Sequence, residues 1–439
     1  METNTPKRYA LLGRRLGHSL SPRIHGLIFL FTALEGVYEL TEVEPGGVAG
    51  YMESLRESGI AGLNVTIPYK RTVMPYLDSL SPEALEIGAV NTVVLGEGAL
   101  AGYNTDYFGF SRMLAMAGIP VRGQKALILG TGGSARAVYC ALRDGGAAGI
   151  ALASRDPARA AGQFGDAPVI GYDGLAPAHG FDLLVNCTPV GMFPDVDGCP
   201  LSRDRIAGFR YVADLIYNPV ETRLLAEARA AGARCVNGLF MLIAQAVRAQ
   251  ELWNGVTLED GVIERIYQRM NKPPGENIVL IGMPGSGKTA LGRALAAALG
   301  RTFVDLDALI ESEAGPIRSL FARGEDAFRQ AETAAACRAA RMRGAVIATG
   351  GGIVTRTANM RALVARGLLV YVNRPLALIH ETIDYGARPL LAGGRAALET
   401  LYRRRAPLYT QYADITIDNA GSPGRAVETL LARIKEMGS

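Results

Sequence analysis

The sequence predicts an α/β protein of two or three domains, built on parallel sheets covered by helices on both faces. Three observations lead there. Continuous apolar runs of strand length alternate with helical patterns almost throughout the 439 residues. Two different glycine-rich turns each follow directly on such a run. Between the two turns, Asn271-Lys272-Pro273-Pro274-Gly275-Glu276 ends one helical pattern and stiffens a short connection to the next apolar run.

The expected strands of the first part are residues 9–12, 62–65, 126–129, 150–153, 183–185 and 211–215; those of the second part are 278–281, 302–304, 346–348 and 368–372. Hydrophobic residues make up 49% and charged residues 20%, enough to bury ordinary cores. A net charge of +4 is too small for a chain of this size to argue for nucleic acid. The five cysteines lie far apart without a CxxC pair, which argues against a disulfide framework or a zinc site and fits a reducing, cytoplasmic setting. No apolar leader follows the N-terminus, and no stretch approaches the roughly 18–20 apolar residues of a membrane span. The oligomeric state is open.

The first turn is Gly130-Thr131-Gly132-Gly133-Ser134-Ala135. A backbone can approach a pyrophosphate only where side chains are absent, and Ala135 lets the following helix pack close on the sheet. The helix N-terminus then offers unpaired N–H groups and a positive dipole end. This reads as a dinucleotide loop, against the plainer reading of a tight turn. The end of the next strand refines it. Where NAD enzymes place an acidic residue for the ribose 2′-OH, Ser154-Arg155 places a guanidinium suited to a 2′-phosphate, which favours NADPH. The plain alternative is a solvated Arg, with Asp156 beside it.

Ahead of this loop lie three polar clusters that a core would not need: His18-Ser19-Leu20-Ser21-Pro22 with His25, Asn64-Val65-Thr66-Ile67-Pro68-Tyr69-Lys70, and Asn91-Thr92 leading to Asn104-Thr105-Asp106. Asn64 and Thr66 alternate at a strand end and are expected on one face. Singly, Ser21-Pro22 could cap a helix and Asn104-Thr105-Asp106 could be a turn. Converging, they suit a polyhydroxylated substrate.

In order, these motifs closely resemble shikimate dehydrogenase over roughly residues 8–270, and the resemblance continues in Asn186-Cys187-Thr188-Pro189, Asp214-Leu215-Ile216-Tyr217-Asn218-Pro219 and Asn237-Gly238-Leu239-Phe240-Met241 through Gln245. It implies NADPH-dependent reduction of 3-dehydroshikimate to shikimate. Ser19 and Ser21 would bind the substrate carboxylate. Asn64, Thr66, Asn91, Asp106 and Gln245 would hold ring hydroxyls, with Tyr217 nearby. Lys70 and Asp106 would form the catalytic pair, the ammonium protonating the alkoxide that hydride transfer leaves and the carboxylate orienting it. NADP(H) would be held by the Gly130–Ala135 loop with Ser154, Arg155, Thr188, Gly238 and Met241. Two departures from the family pattern, Arg15 where Pro is frequent and Gly26 where Asn is usual, bear on the shape of the substrate mouth and remove no catalytic group.

The second turn, Gly282-Met283-Pro284-Gly285-Ser286-Gly287-Lys288-Thr289, matches the mononucleotide triphosphate pattern in full. Its N–H groups, those of Gly285, Ser286, Gly287 and Ala290 included, would cradle phosphates. Lys288 would reach the β/γ oxygens and Thr289 would bind Mg²⁺. Asp305 and Asp307 are expected on one face at the end of the next strand, one serving the metal and the other taking a hydroxyl proton. Arg329 beside Phe328, the turn Gly350-Gly351-Gly352, Arg388-Pro389-Leu390-Leu391 and Arg405 in a basic run follow. This order resembles shikimate kinase over nearly all of residues 276–436. It implies ATP-dependent phosphorylation of the shikimate 3-hydroxyl, with Asp305 metal-linked and Asp307 at the substrate hydroxyls. Arg329 and Arg405 would sit on the carboxylate, Gly350, Gly351 and Gly352 along the ring, and Arg388 over ATP. Glu381 departs from the Arg usual near the adenine.

The product of the first half is the substrate of the second, so the reading is a bifunctional enzyme. Its substrate-binding domain is 1–106, completed by helices within 237–270; a Rossmann NADP domain is 107–236, a linker 271–276, and a P-loop kinase domain 277–439. The partners expected are small-molecule substrates, with no nucleic acid and no membrane. The alternative is a shikimate- or quinate-sensing regulator built from inactive domains. Such a protein should have lost Lys70, Lys288 or one of Asp305 and Asp307, and all are present.

Overall fold

The computed structural model describes residues 6–17, 19–175, 180–259, 261–271, 276–385, 391 and 393–438. Packing divides the chain into two compact units: residues 7–18 with 40–267, and residues 19–39 with 268–439. Arg388, Pro389, Leu390, His18 and most of the 271–276 connection lie outside the described residues.

The first sheet contains β1 (Lys7–Gly13), β2 (Gly36–Glu42), β3 (Ile60–Val65), β4 (Ser79–Leu80), β5 (Thr92–Gly96) and β6 (Ala99–Tyr103) in the order β2-β1-β3-β5-β6-β4. It is mixed, which corrects the expectation of parallel sheets throughout. β1 runs parallel to β3, but β5 is antiparallel to both β3 and β6. The cause is local. Glu97 at φ 49° and Gly98 at φ 79° form a two-residue left-handed loop, which returns the chain as a hairpin. A parallel crossover would need a dozen or more residues.

The second sheet holds β7 (Lys125–Leu129), β8 (Gly149–Ser154), β10 (Val169–Gly171, preceded by β9 at Gln163–Asp166), β11 (Leu183–Asn186), β12 (Tyr211–Asp214) and β13 (Arg234–Val236). Its order is β10-β8-β7-β11-β12-β13 and every pairing is parallel. Leu127, Leu129, Leu184 and Val212 are buried in one core on it. The chain order reverses between β7 and β11, so the crevice at the carboxyl end of β7 is where such a sheet binds ligands.

The other unit has a five-stranded parallel sheet of β14 (Asn277–Ile281), β15 (Phe303–Asp305), β16 (Val346–Ala348), β17 (Gly367–Asn373) and β18 (Ile415–Asp418), ordered β15-β16-β14-β17-β18. All five residues of β14 are buried, as a strand covered on both faces requires. Here the order reverses beside β14, again next to a glycine loop. In the same unit the helix Ser21–Phe31, with Pro22 in its first turn, packs on the helices Thr357–Val364 and Gly394–Tyr412.

Candidate functional site

The unit of residues 40–267 gathers its polar clusters into one network. Lys70 Nζ donates to Asp106 Oδ2 at 2.5 Å, and the two side chains are only 16% and 9% exposed. Backbone geometry holds each partner. The Lys70 carbonyl accepts from the Val90 N–H at 2.7 Å. Asp106 opens the helix Asp106–Met116, its own N–H bonded to Asn104 Oδ1 at 3.1 Å. Asn91 Nδ2 donates to the other Asp106 oxygen at 2.9 Å and to Thr105 Oγ1 at 3.1 Å, while Asn91 Oδ1 takes the Thr105 N–H at 2.8 Å. Asn64 Nδ2 reaches the Asn91 carbonyl and Thr92 Oγ1, both at 3.2 Å. β3 stops at Val65, so Thr66 lies just past the strand rather than alternating within it, although its N–H still bonds Leu12 O at 2.9 Å.

Gln245 comes from far along the chain, on the helix Leu239–Asn254, and Thr105 Oγ1 donates to its Oε1 at 3.3 Å. Gly109 makes that possible. A Cβ there would stand 2.7 Å from the Met241 carbonyl and 3.2 Å from Gln245 Cβ, so only glycine lets the two helices approach this closely. Gly109 escaped the sequence reading because its partner is more than a hundred residues away. Tyr217 is half-buried, and burial pushes its hydroxyl pKa up. Ser19 and Ser21 belong to the other unit. Ser21 opens the helix Ser21–Phe31 without capping it, and its N–H bonds Ser19 Oγ at 3.2 Å. Arg15 is exposed and pairs with Glu44 at 3.2 Å.

At the end of β7 the chain turns through Gly130 at φ 95°. A side chain there would meet Thr188 Cγ2 at 3.1 Å. Thr131 follows, and the helix Gly133–Asp144 then starts with Gly132 as its N-cap and Ala135 fully buried. A Cβ on Gly132 would meet nothing within 4 Å, so the concavity before the helix N-terminus is open. Arg155 stands exposed at the end of β8. Its neighbour Asp156 caps the next helix, accepting the Arg159 N–H at 3.1 Å, and Ser154 Oγ takes the Asp156 N–H at 3.1 Å. Asp156 is thereby accounted for and leaves Arg155 as the group at the strand end.

Behind the loop runs a polar spine that joins Thr188, expected at NADP(H), to Asn186, Asp214 and Thr222, the last of which the sequence reading passed over. Thr188 Oγ1 bonds Asn186 Oδ1 at 2.7 Å, Asn186 Nδ2 bonds Asp214 Oδ1 at 2.9 Å, and Thr222 Oγ1 bonds Asp214 Oδ2 at 2.7 Å. Burial pushes the Asp214 carboxyl up to about 6 against the opposing pull of these donors. Gly238 is required by the backbone, since a Cβ there would lie 2.0 Å from the Leu215 carbonyl. Met241 is buried.

In the other unit the loop after β14 turns through Gly282, Gly285 and Gly287 at φ 151°, 80° and 90°, and the helix Lys288–Leu299 starts there. The buried Lys288 Nζ lies back on the loop, donating to the carbonyls of Gly282 at 2.9 Å and Met283 at 2.8 Å. Ser286 is buried, and Ala290 is exposed in the first helical turn. Thr289 Oγ1 donates to Asp305 Oδ2 at 3.0 Å. The expected pairing of Asp305 and Asp307 on one strand face is corrected: β15 ends at Asp305 and the helix Leu306–Ala314 begins at once. Asp305 Oδ1 caps that helix through the N–H groups of Asp307 at 3.1 Å and Ala308 at 3.4 Å. The two carboxylates are therefore held by different elements, Asp305 toward Thr289 and Asp307 toward Gly350, where a Cβ would lie 3.0 Å from Asp307 Oδ1.

Arg329 and Arg405, buried on separate helices, meet around a carboxylate the sequence reading passed over. Arg329 Nη1 pairs with Glu332 at 2.9 Å. Burial raises the Glu332 pKa, and Asp307 adds to the rise while Arg329 and Arg405 oppose it. Burial lowers the Arg405 pKa, with Arg329 adding to the fall. The signal for Glu332 was its i,i+3 spacing from Arg329 on one helix face. Gly351 and Gly352 leave room for Pro284 and for the Arg329 guanidinium, which a Cβ at Gly352 would meet at 2.3 Å. Tyr409 Oη donates to the Gly351 carbonyl at 2.5 Å. Glu381 is exposed on the helix Leu376–Thr382.

Comparison with known proteins fits both halves. A family model for the shikimate dehydrogenase substrate binding domain matches residues 11–93, and one for shikimate kinase matches residues 284–435. The shikimate dehydrogenase (NADP(+)) of Clostridium perfringens strain SM101 is 41% identical over 266 residues, 60% of this chain and 98% of that protein. A crystal structure of a chorismate mutase/shikimate 5-dehydrogenase fusion protein from Clostridium acetobutylicum superposes with a TM-score of 0.59 at 39% identity, covering 60% of this chain and 97% of that one. The Thermus thermophilus shikimate 5-dehydrogenase in complex with NADP(H) and shikimate gives a TM-score of 0.55 at 38% identity, covering 60% and 99%. The chain belongs to the shikimate dehydrogenase family over its N-terminal part and continues as a shikimate kinase, an oxidoreductase and a phosphotransferase fused in one polypeptide.

Proposed function

We propose that this chain reduces 3-dehydroshikimate to shikimate with NADPH and then phosphorylates the shikimate 3-hydroxyl with ATP and Mg²⁺. The observation that carries the reading is the Lys70–Asp106 pair at 2.5 Å, set among the amides and hydroxyls of Asn64, Asn91, Thr105 and Gln245. Such a network can hold a ring bearing several hydroxyls, and its one cation is placed to give a proton. As hydride reaches the ketone carbon, the carbonyl π bond opens to an alkoxide, and Lys70 donates its proton to that oxygen. Asp106 orients the ammonium, and Asn91 keeps Asp106 in place. Ser19 and Ser21 take the carboxylate.

The cofactors fit the residues present. The open turn at Gly132 and the exposed Arg155 suit a dinucleotide with a 2′-phosphate. The three left-handed glycines and the Lys288 ammonium suit a triphosphate. Thr289 and Asp305 would supply hard oxygen donors suited to Mg²⁺. NADPH so held supplies the hydride, and ATP the phosphoryl group. In the kinase half Asp307 takes the proton of the attacking hydroxyl, while Arg329 and Arg405 hold the carboxylate, Glu332 keeping Arg329 aligned. The domains we propose are those set out from the sequence, with the kinase beginning at residue 277, while packing groups residues 19–39 with 268–439.

The test uses the purified chain with 3-dehydroshikimate, NADPH, ATP and Mg²⁺, following NADPH loss and phosphate ester formation together. Ester formation dependent on both nucleotides is the expected result. NADPH loss with shikimate accumulating would refute the kinase assignment alone. No turnover of either kind would refute both.

A further inference from the structure

Asn186 and Asp214 end the neighbouring parallel strands β11 and β12 and are paired in register. The other members of their row across the sheet, Leu129 of β7 and Ala153 of β8, are apolar. Both polar residues are fully buried. A core needs no carboxylate there, and burying one costs stability unless its oxygens are bonded.

The bonds lead out of the sheet to the loops beyond it. Asp214 Oδ1 accepts the Ile216 N–H at 3.1 Å and Asn186 Nδ2 at 2.9 Å, and Oδ2 accepts the Thr222 hydroxyl at 2.7 Å. An Asn amide has one donor end and one acceptor end, so a carboxylate at the first fixes where the second points. Asn186 Oδ1 accordingly accepts both the Thr188 N–H at 3.0 Å and the Thr188 hydroxyl at 2.7 Å. Thr188 in turn lies against the glycine turn. A Cβ at Gly130 would come within 3.1 Å of Thr188 Cγ2 and 3.4 Å of the Cys187 carbonyl.

We infer that Asp214 is a positioning residue for the cofactor of the dehydrogenase reaction, acting through the Asn186 amide on Thr188. The inference rests on the reading that Thr188 and the Gly130–Ala135 turn hold NADP(H). Without the Asp214 oxygens the Asn186 amide is free to rotate, and with its nitrogen toward Thr188 the Thr188 N–H has no acceptor. Thr188 then loses its fixed place beside Gly130. NADPH binding should weaken while the chemical step is preserved, because the Lys70–Asp106 pair is untouched.

The experiment titrates the full chain with NADPH alone, read by the fluorescence of the bound nucleotide, and measures KM and kcat alongside. Asp214→Ala should raise the Kd and KM for NADPH roughly three- to tenfold, as expected for buried neutral hydrogen bonds, with kcat within about twofold. Asp214→Asn keeps an oxygen toward Asn186 and should bring the Kd back to within about twofold of the wild-type value. Asn186→Ala breaks the relay while Asp214 keeps Thr222 and Ile216; it should raise the Kd as Asp214→Ala does, and serves if that variant folds poorly. Thr188→Val provides the reference, and combined with Asp214→Ala it should bind NADPH no more weakly than the weaker single variant. If Thr188→Val raises the Kd and neither Asp214→Ala nor Asn186→Ala does, even with a lowered melting temperature, Asp214 is merely structural and the inference is overturned. It is overturned as well if Asp214→Asn binds as weakly as Asp214→Ala, or if the losses multiply in the double variant. If Thr188→Val itself leaves the Kd unchanged, the assignment of Thr188 to the cofactor falls and takes the inference with it.

Discussion

At the scale of single residues, one lysine and one buried carboxylate carry the sharpest expectations. Lys70 faces Asp106 at 2.5 Å in a mostly buried setting, and on the proposed mechanism its loss removes the proton donor. In Lys70→Ala, kcat for 3-dehydroshikimate reduction should fall about 10²- to 10⁴-fold, with phosphorylation of added shikimate unchanged. A rise in KM at constant kcat would instead make Lys70 a binding group. Asp214 gives a pH expectation. Its carboxyl is raised by burial from 3.8 in the unfolded chain to about 6 in the fold. Between these values the folded state holds more protons than the unfolded state, so the contribution of Asp214 is full below pH 4 and is lost as pH rises through 6. The amount is about 3 kcal/mol, to order of magnitude. Asp214→Asn keeps an acceptor for Asn186 and the Ile216 N–H, and Thr222 can reverse its hydroxyl to accept from the new amide. The fall in melting temperature of the wild-type chain from pH 4 to 6 should therefore flatten in Asp214→Asn, after allowance for the other titrating groups; an unchanged slope would show that Asp214 is already ionised across that range.

At the scale of elements, Asp305 does two things that a substitution pair can separate. It ends β15 and caps the helix Leu306–Ala314 through Oδ1, while Oδ2 meets Thr289. Asp305→Asn retains a capping oxygen and should leave the melting temperature nearly unchanged, whereas Asp305→Ala should lose about 1 kcal/mol of stability. On the proposed reading that Asp305 serves the metal, both should lower kinase kcat, because both remove its charge; equal melting temperatures in the two variants would remove the capping role. The same element shows what the sequence could disclose. Both glycine loops were legible because a strand, a turn and a helix N-terminus are consecutive, and each loop's function depends on that local order. Asp305 and Asp307 were legible as candidates but not as geometry, because period-2 alternation holds only while the strand lasts. The hairpin of β5 and β6 was missed because Glu97-Gly98 is a weaker turn signal than Asn-Gly. Gln245 against Thr105 and Glu332 between Arg329 and Arg405 depend on helix packing between distant segments, or on which face a helix turns inward. No local period encodes such contacts.

At the scale of the whole molecule, the question is whether fusion changes the fate of shikimate. On the proposed reading each half carries its own reacting groups, Lys70 with Asp106 in one and Lys288 with Asp307 in the other. If the intermediate is released to solvent, each active half should work in trans. A tether raises the local concentration of attached partners, but a freely diffusing small molecule escapes it before capture unless a path confines it. An equimolar mixture of Lys70→Ala and Lys288→Ala chains should then convert 3-dehydroshikimate to the phosphate ester. At the same concentration of active sites of each kind, it should show the same lag as the wild-type chain, the lag being the time shikimate needs to approach the kinase KM. Stopped time courses at several enzyme concentrations measure it. A wild-type lag that is shorter than that of the mixture, and that resists an added excess of an independent shikimate kinase as a trap, would mean the intermediate is passed on without release. Matching lags, with the trap taking its proportional share, would mean that the gain from fusion is a matched supply of two activities rather than a guided transfer.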